Sequence, residues 1–237
     1  MQAVQHLFYC PSIADTHVLP EEESMHAVRV LRRMAGDILH IADGRGMLYE
    51  ACITNPHPKH CEVEIVEQVM QVRHHPCELH IAVAPTKNVE RIEWLAEKCT
   101  EIGMDSLVPL LCRYSERKQI RTDRLEKIVL AAAKQSLSAY LPEVKEMTPV
   151  EDVIRSAWEQ RRFIAHSSPW TGKKILRDEL RVSAPASTIV LIGPEGGFTD
   201  DEVRLAMDYG FVPVSLGDAR LRTETAAVVA CTLIQNC

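Results

Sequence analysis

No run of about 18 apolar residues occurs in this sequence of 237 residues, which excludes a hydrophobic membrane-spanning helix. The N-terminus lacks the basic start, apolar core and small-residue cleavage site of a secretory signal, so a cytoplasmic protein is expected. No C-x-x-C pair occurs among the cysteines at 10, 52, 61, 77, 99, 112, 231 and 237. Scattered among apolar neighbours, they read as reduced, mostly buried thiols rather than a disulfide framework. There is no G-x-x-x-x-G-K-[ST] loop and no G-x-G-x-x-G after an early strand, so P-loop and dinucleotide sites are unsupported. Positive charge is not in excess. The formal net charge of −6 argues against a coat of basic residues, but it leaves nucleic acid open, because local clusters set the field that a partner meets.

Two such clusters are present. Arg29, Arg32 and Arg33 lie within residues 26–36, a stretch without an acid. Arg113, Arg117, Lys118, Arg121, Arg124, Lys127 and Lys134 face only Glu116, Asp123 and Glu126 over residues 113–134. Most charge runs are solvated faces, so charge alone does not assign RNA contact. His57, His60 and Cys61, and then His74, His75 and Cys77, have spacings that match no regular zinc pattern, and no metal is expected.

Residues 1–72 read as mostly β. Ile38–Ala42, Met47–Thr54 and Cys61–Val69 alternate partially and are separated by Asp43-Gly44-Arg45-Gly46 and by Pro56–His60. One helix interrupts them, with Pro20 at its start, Glu21–Glu23 in its first turn, and Met25, Val28 and Leu31 on one face. A small β-barrel-like module is the natural assembly. Over residues 73–237 strands alternate with helices, which implies an α/β domain on a mainly parallel sheet. The expected strands are Leu79–Ala84, Leu107–Cys112, Phe163–His166, Thr188–Ile192 and Val212–Leu216. Asn88 caps helix 88–102, which Gly103 ends. Capping boxes are expected at Asp123/Glu126, Thr148/Glu151 and Thr199/Glu202, the last with Phe198 and Val203 as a hydrophobic staple. Trp94 and Trp158 read as helical packing residues. The closing helix, about 225–234, is apolar all round and needs burial in the core or against a second subunit.

The chemistry concentrates in two loops. Ile192-Gly193-Pro194-Glu195-Gly196-Gly197-Phe198 leaves an apolar strand and enters a capped helix, and ligands of open α/β sheets bind beyond such carboxyl ends. Glycines there let main-chain groups approach a ligand closely. Leu216-Gly217-Asp218-Ala219-Arg220-Leu221-Arg222-Thr223-Glu224-Thr225-Ala226 repeats the design. Thr223 or a neighbour can cap the last helix, while Arg222 and Glu224 either reach into the crevice or pair with each other. Two such loops favour a shared small-molecule site over a bare pair of turns. With no lysine for a polyphosphate, they suit S-adenosyl-L-methionine (AdoMet).

GPEGGF at 193–198 with Glu202, Gly210 and LGDARLRTETAA at 216–227 resembles the cofactor loops of the ribosomal RNA small subunit methyltransferase E family of the SPOUT superfamily. Lys87 with RIEWLAEKCTEIGMDSLVPL at 91–110 resembles that family's central segment, and HAVRVLRRMAGD at 26–37 with DGRG at 43–46 its N-terminal module. Lys134–Tyr140 departs from the pattern, since many members carry a Gly-Arg pair there. The resemblance implies a PUA-like RNA-binding β-barrel over 1–72 and a trefoil-knotted SPOUT methyltransferase domain over 73–237. It implies a homodimer without membrane or metal partners, and AdoMet-dependent methylation of N3 of a uridine in 16S ribosomal RNA, in the assembled 30S particle. AdoMet would be held by His166, Ile192, Gly193, Pro194, Glu195, Gly196, Gly197, Leu216, Gly217, Leu221, Arg222, Thr223, Thr225 and Ala226.

For catalysis, Arg222 is the candidate for stabilising the developing uracil anion. Glu195 and Glu224 are candidates for orienting groups or proton acceptors, and Arg29, Arg32, Arg33 and Lys87 for RNA contacts. The alternatives are a non-catalytic RNA-binding protein of ribosome assembly, a SPOUT enzyme acting on another RNA site, and a metabolic enzyme with a different nucleotide-like ligand.

Overall fold

A computed structural model of the chain describes residues 4–73, 77–166, 174–182, 184 and 186–236. Its contacts divide the chain into two compact units, Met1–Arg73 with Leu130–Leu141, and His74–Val129 with Pro142–Cys237.

The first unit is built on β1 (Leu7–Tyr9), α1 (Ile13–Thr16), α2 (Glu21–Met25), β2 (Ile38–Ala42), β3 (Met47–Asn55) and β4 (Glu62–Met70). The four strands form one sheet in the order β1-β2-β3-β4. Val18, just after α1, makes an isolated antiparallel bridge to Glu62 at the start of β4. Phe8, Leu39, Ile41, Ala51, Ile53 and Val63 fill the interior. The predicted helix is shorter and less regular than its periodicity implies. α2 runs into a π-helical turn at His26–Val30, so Ala27 is buried, Val28 and Leu31 are half-buried, and Met25 is exposed. The divergent stretch Lys134–Tyr140 belongs to this unit. Lys134 pairs with buried Glu23 at 2.5 Å, Gln71 bonds both Leu137 O and Ala139 N, and the Tyr140 hydroxyl donates to Gln71 O at 3.0 Å.

The second unit contains β5 (Leu79–Val83), α3 (Val89–Ile102), β6 (Ser106–Leu111), the start of α4 (Thr122–Gln135), β7 (Glu143–Val144), β8 (Thr148–Pro149), α5 (Val150–Ser156), β9 (Arg161–Ala165), β10 (Lys174–Ile175), α6 (Leu176–Val182), β11 (Thr188–Ile192), α7 (Asp200–Asp208), β12 (Val212–Ser215) and α8 (Thr223–Gln235). The strand order is β10-β12-β9-β11-β5-β6-β7, with β8 also beside β6, and each of these pairs is parallel. The α/β parallel sheet expected from the alternation is therefore present. Every residue of the central strand β11 is buried, as a strand covered on both faces requires. α5 and α7 close one face through Val150, Val153, Ile154, Val203 and Ala206, and α3 and α8 pack together on the other.

Several local expectations fail for tertiary reasons. Asp123 lies inside the first turn of α4 and is held by Arg121 at 2.6 Å, so it does not stand ahead of the helix as a cap. Thr148 is drawn into β8 and donates to Glu146 O, leaving α5 to start from Pro149 without a side-chain cap. Trp94 and Trp158 are largely exposed, and Trp158 lies beyond α5 with its ring edge-on to His80. α8 buries one face, including Ala227, Ala230, Cys231, Ile234 and Gln235, and leaves Val228, Val229 and Leu233 half-exposed.

Cys10, Cys61, Cys77, Cys99, Cys112 and Cys231 are buried and Cys52 is half-buried, all unbridged as expected; Cys237 lies outside the described residues. Among the described residues no helix is long and apolar enough to cross a membrane, and no three metal-ligating side chains converge. His57 and His60 stack on each other at 3.6 Å, while His74 and His75 lie outside the described residues.

Candidate functional site

β9, β11 and β12 are neighbours in the sheet and end at the same edge. Beyond their carboxyl ends lies a cavity of about 640 Å³ walled by residues from all three, the place and size expected of a small-molecule site in a parallel sheet. Of the residues named for the cofactor, His166, Ile192, Gly193, Pro194, Glu195, Gly197, Leu216, Gly217, Leu221, Arg222, Thr223 and Ala226 line it. Gly196 and Thr225 do not. Gly196 is turned towards Tyr114, and Thr225 is half-buried on α8.

The glycine loop is fixed at its far end. Thr199 caps α7 by accepting from Glu202 N at 3.2 Å, and the Glu202 carboxylate accepts from Thr199 N at 2.7 Å, closing the predicted capping box. Phe198 and Val203 are both buried in the same apolar cluster. Gly197 has φ +75, a left-handed conformation in which a side chain would be strained. The second loop enters α8 differently from the expectation. Arg222, not Thr223, stands at the N-cap and makes no side-chain capping bond, while Thr223 sits inside the helix. The Thr223 hydroxyl instead donates to the Gly193 carbonyl at 3.1 Å, a buried bond that ties one loop to the other.

The charged groups separate into distinct roles. Arg222 is exposed at the cavity wall. Glu224 is buried, and its Oε1 lies 3.6 Å from Arg91 Nε, so its ion pair is with Arg91 and not with Arg222. Glu224 Oε2 is buried without a hydrogen-bond donor. A buried carboxylate oxygen left in that condition is costly and suits a ligand N–H or O–H. Glu195 is exposed, and its Oε1 accepts from Lys87 N at 3.2 Å. Lys87 extends outward to Glu116 at 3.0 Å. In the other unit Arg29 and Arg32 are exposed and Arg33 is half-buried, with Arg32 at φ +54.

Arg91, Ala165, Val214, Ser215, Asp218, Ala219 and Arg220 also line the cavity and escaped the sequence reading. Asp218 to Arg220 lay within the quoted loop. Arg91 had a signal too: it stands in the first turn of the helix that follows β5, at the carboxyl edge of the sheet. Among the described residues the wall offers main-chain groups, a buried carboxylate and guanidinium groups but no lysine, a donor and acceptor set that fits AdoMet, which carries no phosphate.

Comparison with known proteins agrees with this geometry. Residues 73–235 match the family of the RNA methyltransferase domain, and residues 19–66 that of the RNA methyltransferase PUA domain. Ribosomal RNA small subunit methyltransferase E of Synechocystis sp. is 32% identical over 225 residues, covering 92% of this chain and 72% of the relative. The crystal structure of a probable rRNA-methyltransferase from Porphyromonas gingivalis is 40% identical with a TM-score of 0.89, over 97% of this chain and 98% of that one. A putative methyltransferase from Legionella pneumophila, solved in complex with the bound cofactor SAM, is 29% identical with a TM-score of 0.83, over 98% of both chains.

Proposed function

The chain belongs to the RNA methyltransferase family, in the group of ribosomal RNA small subunit methyltransferase E, and from that premise we propose that it transfers the methyl group of AdoMet to N3 of a uridine in 16S ribosomal RNA. One observation carries the reading: two glycine loops are locked together by Thr223 and Gly193 around a cavity whose wall holds a buried carboxylate.

AdoMet supplies an electrophilic methyl group on a sulfonium. Main-chain groups of residues 192–197 and 216–221 and the free oxygen of Glu224 would hold it, with Arg91 orienting that carboxylate through their ion pair. N3 of uracil lies on the Watson–Crick edge, so the target base has to be unpaired or extruded before it can react. Its imide nitrogen is a poor nucleophile until the proton leaves. Arg222, charged and exposed on the wall, stabilises the anion at a uracil carbonyl oxygen as it forms. Glu195 and Glu224 are the candidates for orienting the base or taking its proton.

In this reading residues 1–72 are a PUA-like RNA-binding barrel, in which Arg29, Arg32 and Arg33 contact phosphates, and residues 73–237 are a trefoil-knotted methyltransferase domain. Lys87 contacts RNA beside the glycine loop. The half-exposed Val228, Val229 and Leu233 support a homodimer through α8. The substrate is the assembled 30S particle in the cytoplasm. The test is transfer of labelled methyl from AdoMet to small subunits isolated from a strain lacking the protein, with the modified base located by reverse-transcription arrest. Absence of AdoMet binding by calorimetry, or label at a position other than N3 of uridine, overturns the corresponding half of the reading.

A further inference from the structure

Tyr114 is 54% exposed, and the chain around it is pinned on both sides. The amide of Arg113 donates to Glu202 Oε1 at 2.8 Å, so the carboxylate that closes the α7 capping box also grips this loop. The amide of Cys112 donates to the buried Ser115 hydroxyl at 3.0 Å. Downstream, the Arg117 guanidinium donates to the carbonyls of Thr86 at 3.1 Å and Lys87 at 2.6 Å. An aromatic residue is thus held out to solvent on a fastened segment.

It stands against the glycine loop. A Cβ on Gly196 would lie 2.9 Å from Tyr114 Cβ, closer than side-chain carbons approach, and 3.5 Å from the start of its ring. Gly196 has no left-handed backbone to explain its identity; the room it leaves is occupied by Tyr114. Its neighbours Glu195 and Gly197 line the cavity while Gly196 does not, so Tyr114 stands against the outer side of the loop that walls that site. Arg113 and Lys118 are exposed beside it, and Lys87 reaches out from the adjoining loop. An exposed aromatic side chain on a pinned backbone segment, with the exposed cations Arg113 and Lys118 close in sequence, matches the chemistry of an unpaired nucleotide, with a base to stack and a phosphate to neutralise.

We propose that Tyr114 is a stacking platform for an unpaired base of the RNA substrate beside the methyl-transfer cavity, with Gly196 leaving room for its Cβ. The assignment rests on the methyltransferase reading for the identity of the RNA. Its own test does not need turnover.

The experiment compares wild type, Tyr114→Phe and Tyr114→Leu for affinity to small ribosomal subunits over a salt series, for AdoMet affinity by calorimetry, and for KM and kcat. Tyr114→Leu is expected to weaken RNA binding and raise the KM for RNA about tenfold or more. Tyr114→Phe is expected to stay within about twofold of wild type, because the ring face is kept. AdoMet affinity should be unchanged in both, and so should the salt slope, since no cation is removed. Wild-type RNA affinity in a Tyr114→Leu protein that binds AdoMet normally overturns the assignment. A Tyr114→Leu protein with normal RNA affinity but altered sedimentation gives the face to a protein partner instead. If wild type binds subunits without methylating them, the methyltransferase reading fails while the Leu-to-Phe contrast in RNA affinity still decides the role of Tyr114.

Discussion

The Thr223 hydroxyl donates to the Gly193 carbonyl across 3.1 Å, and both residues are buried. That bond joins the start of α8 to the loop after β11. Each of these segments supplies part of the cavity wall. Thr223→Val keeps the shape and removes the donor, leaving a buried carbonyl unsatisfied. Stability is expected to fall by about 1–3 kcal/mol, and AdoMet affinity to fall with it, as the loops are no longer held in register. Urea denaturation and calorimetry read the two effects.

Arg222→Ala should act on turnover more than on binding. The side chain makes no capping bond, so its removal is not expected to unfold α8. Loss of a cation at a developing anion lowers kcat about 100-fold or more, while AdoMet affinity changes little. Near-normal kcat at saturating RNA would take the proposed role away from Arg222.

Glu224→Gln replaces a buried carboxylate, paired with Arg91 at 3.6 Å, by a neutral group of the same size. Arg91 loses its ion pair and the cavity loses an acceptor for a ligand donor. AdoMet should bind about tenfold more weakly, in line with one charge-assisted hydrogen bond. An unchanged dissociation constant would place Glu224 outside cofactor binding.

Replacing Arg29, Arg32 and Arg33 together by Gln should weaken RNA binding across sequences and flatten its dependence on salt. Each lost phosphate contact reduces the logarithmic slope by roughly 0.7 on single strands. A slope equal to that of wild type would return these side chains to a solvated face.

Alkaline pH should destabilise the protein. Burial raises the thiol pKa values of Cys10, Cys61, Cys77 and Cys112, and the phenol values of Tyr9 and Tyr49. Cys231 is raised first by its hydrogen bond with Cys99 and then by burial. These groups stay protonated in the folded chain after their unfolded counterparts ionise. Their stabilising contribution is therefore complete below pH 9, the ordinary thiol value, and is lost as pH rises above it. Urea midpoints between pH 7 and 10 should decline over the upper part of that range. A flat profile would contradict the burial of these groups.

Much of the fold was readable because its signals are local. The expected bounds of Ile38–Ala42 and Thr188–Ile192 are the observed ones, since each is a short apolar run between turns. Asn88 and Thr199 cap as predicted because each needs only an amide two or three residues ahead. Thr148 and Asp123 looked equally suitable, but β6 and Arg121 claimed them. Neither competitor shows in a capping pattern. In the site, the glycine loops announced themselves by position after strands. Arg91 gave only its place in the first turn after β5; its pairing with Glu224 joins residues far apart in sequence, and helical periodicity marks it only as polar. Tyr114 was hidden for the same reason: Glu202, already assigned to a cap, turns out to hold the amide of Arg113 as well.

The pairing of β5 with β11 aligns Leu79 with Thr188, and β9 and β12 build outward from β11. The middle of the sheet is therefore its most non-local seam. Closing so long a loop has to precede any gain from the strand ends it brings together. Refolding of this unit should be slow and cooperative, and the amides that bond across the β5–β11 seam should be among the final ones to acquire protection from exchange, after those between β9 and β11.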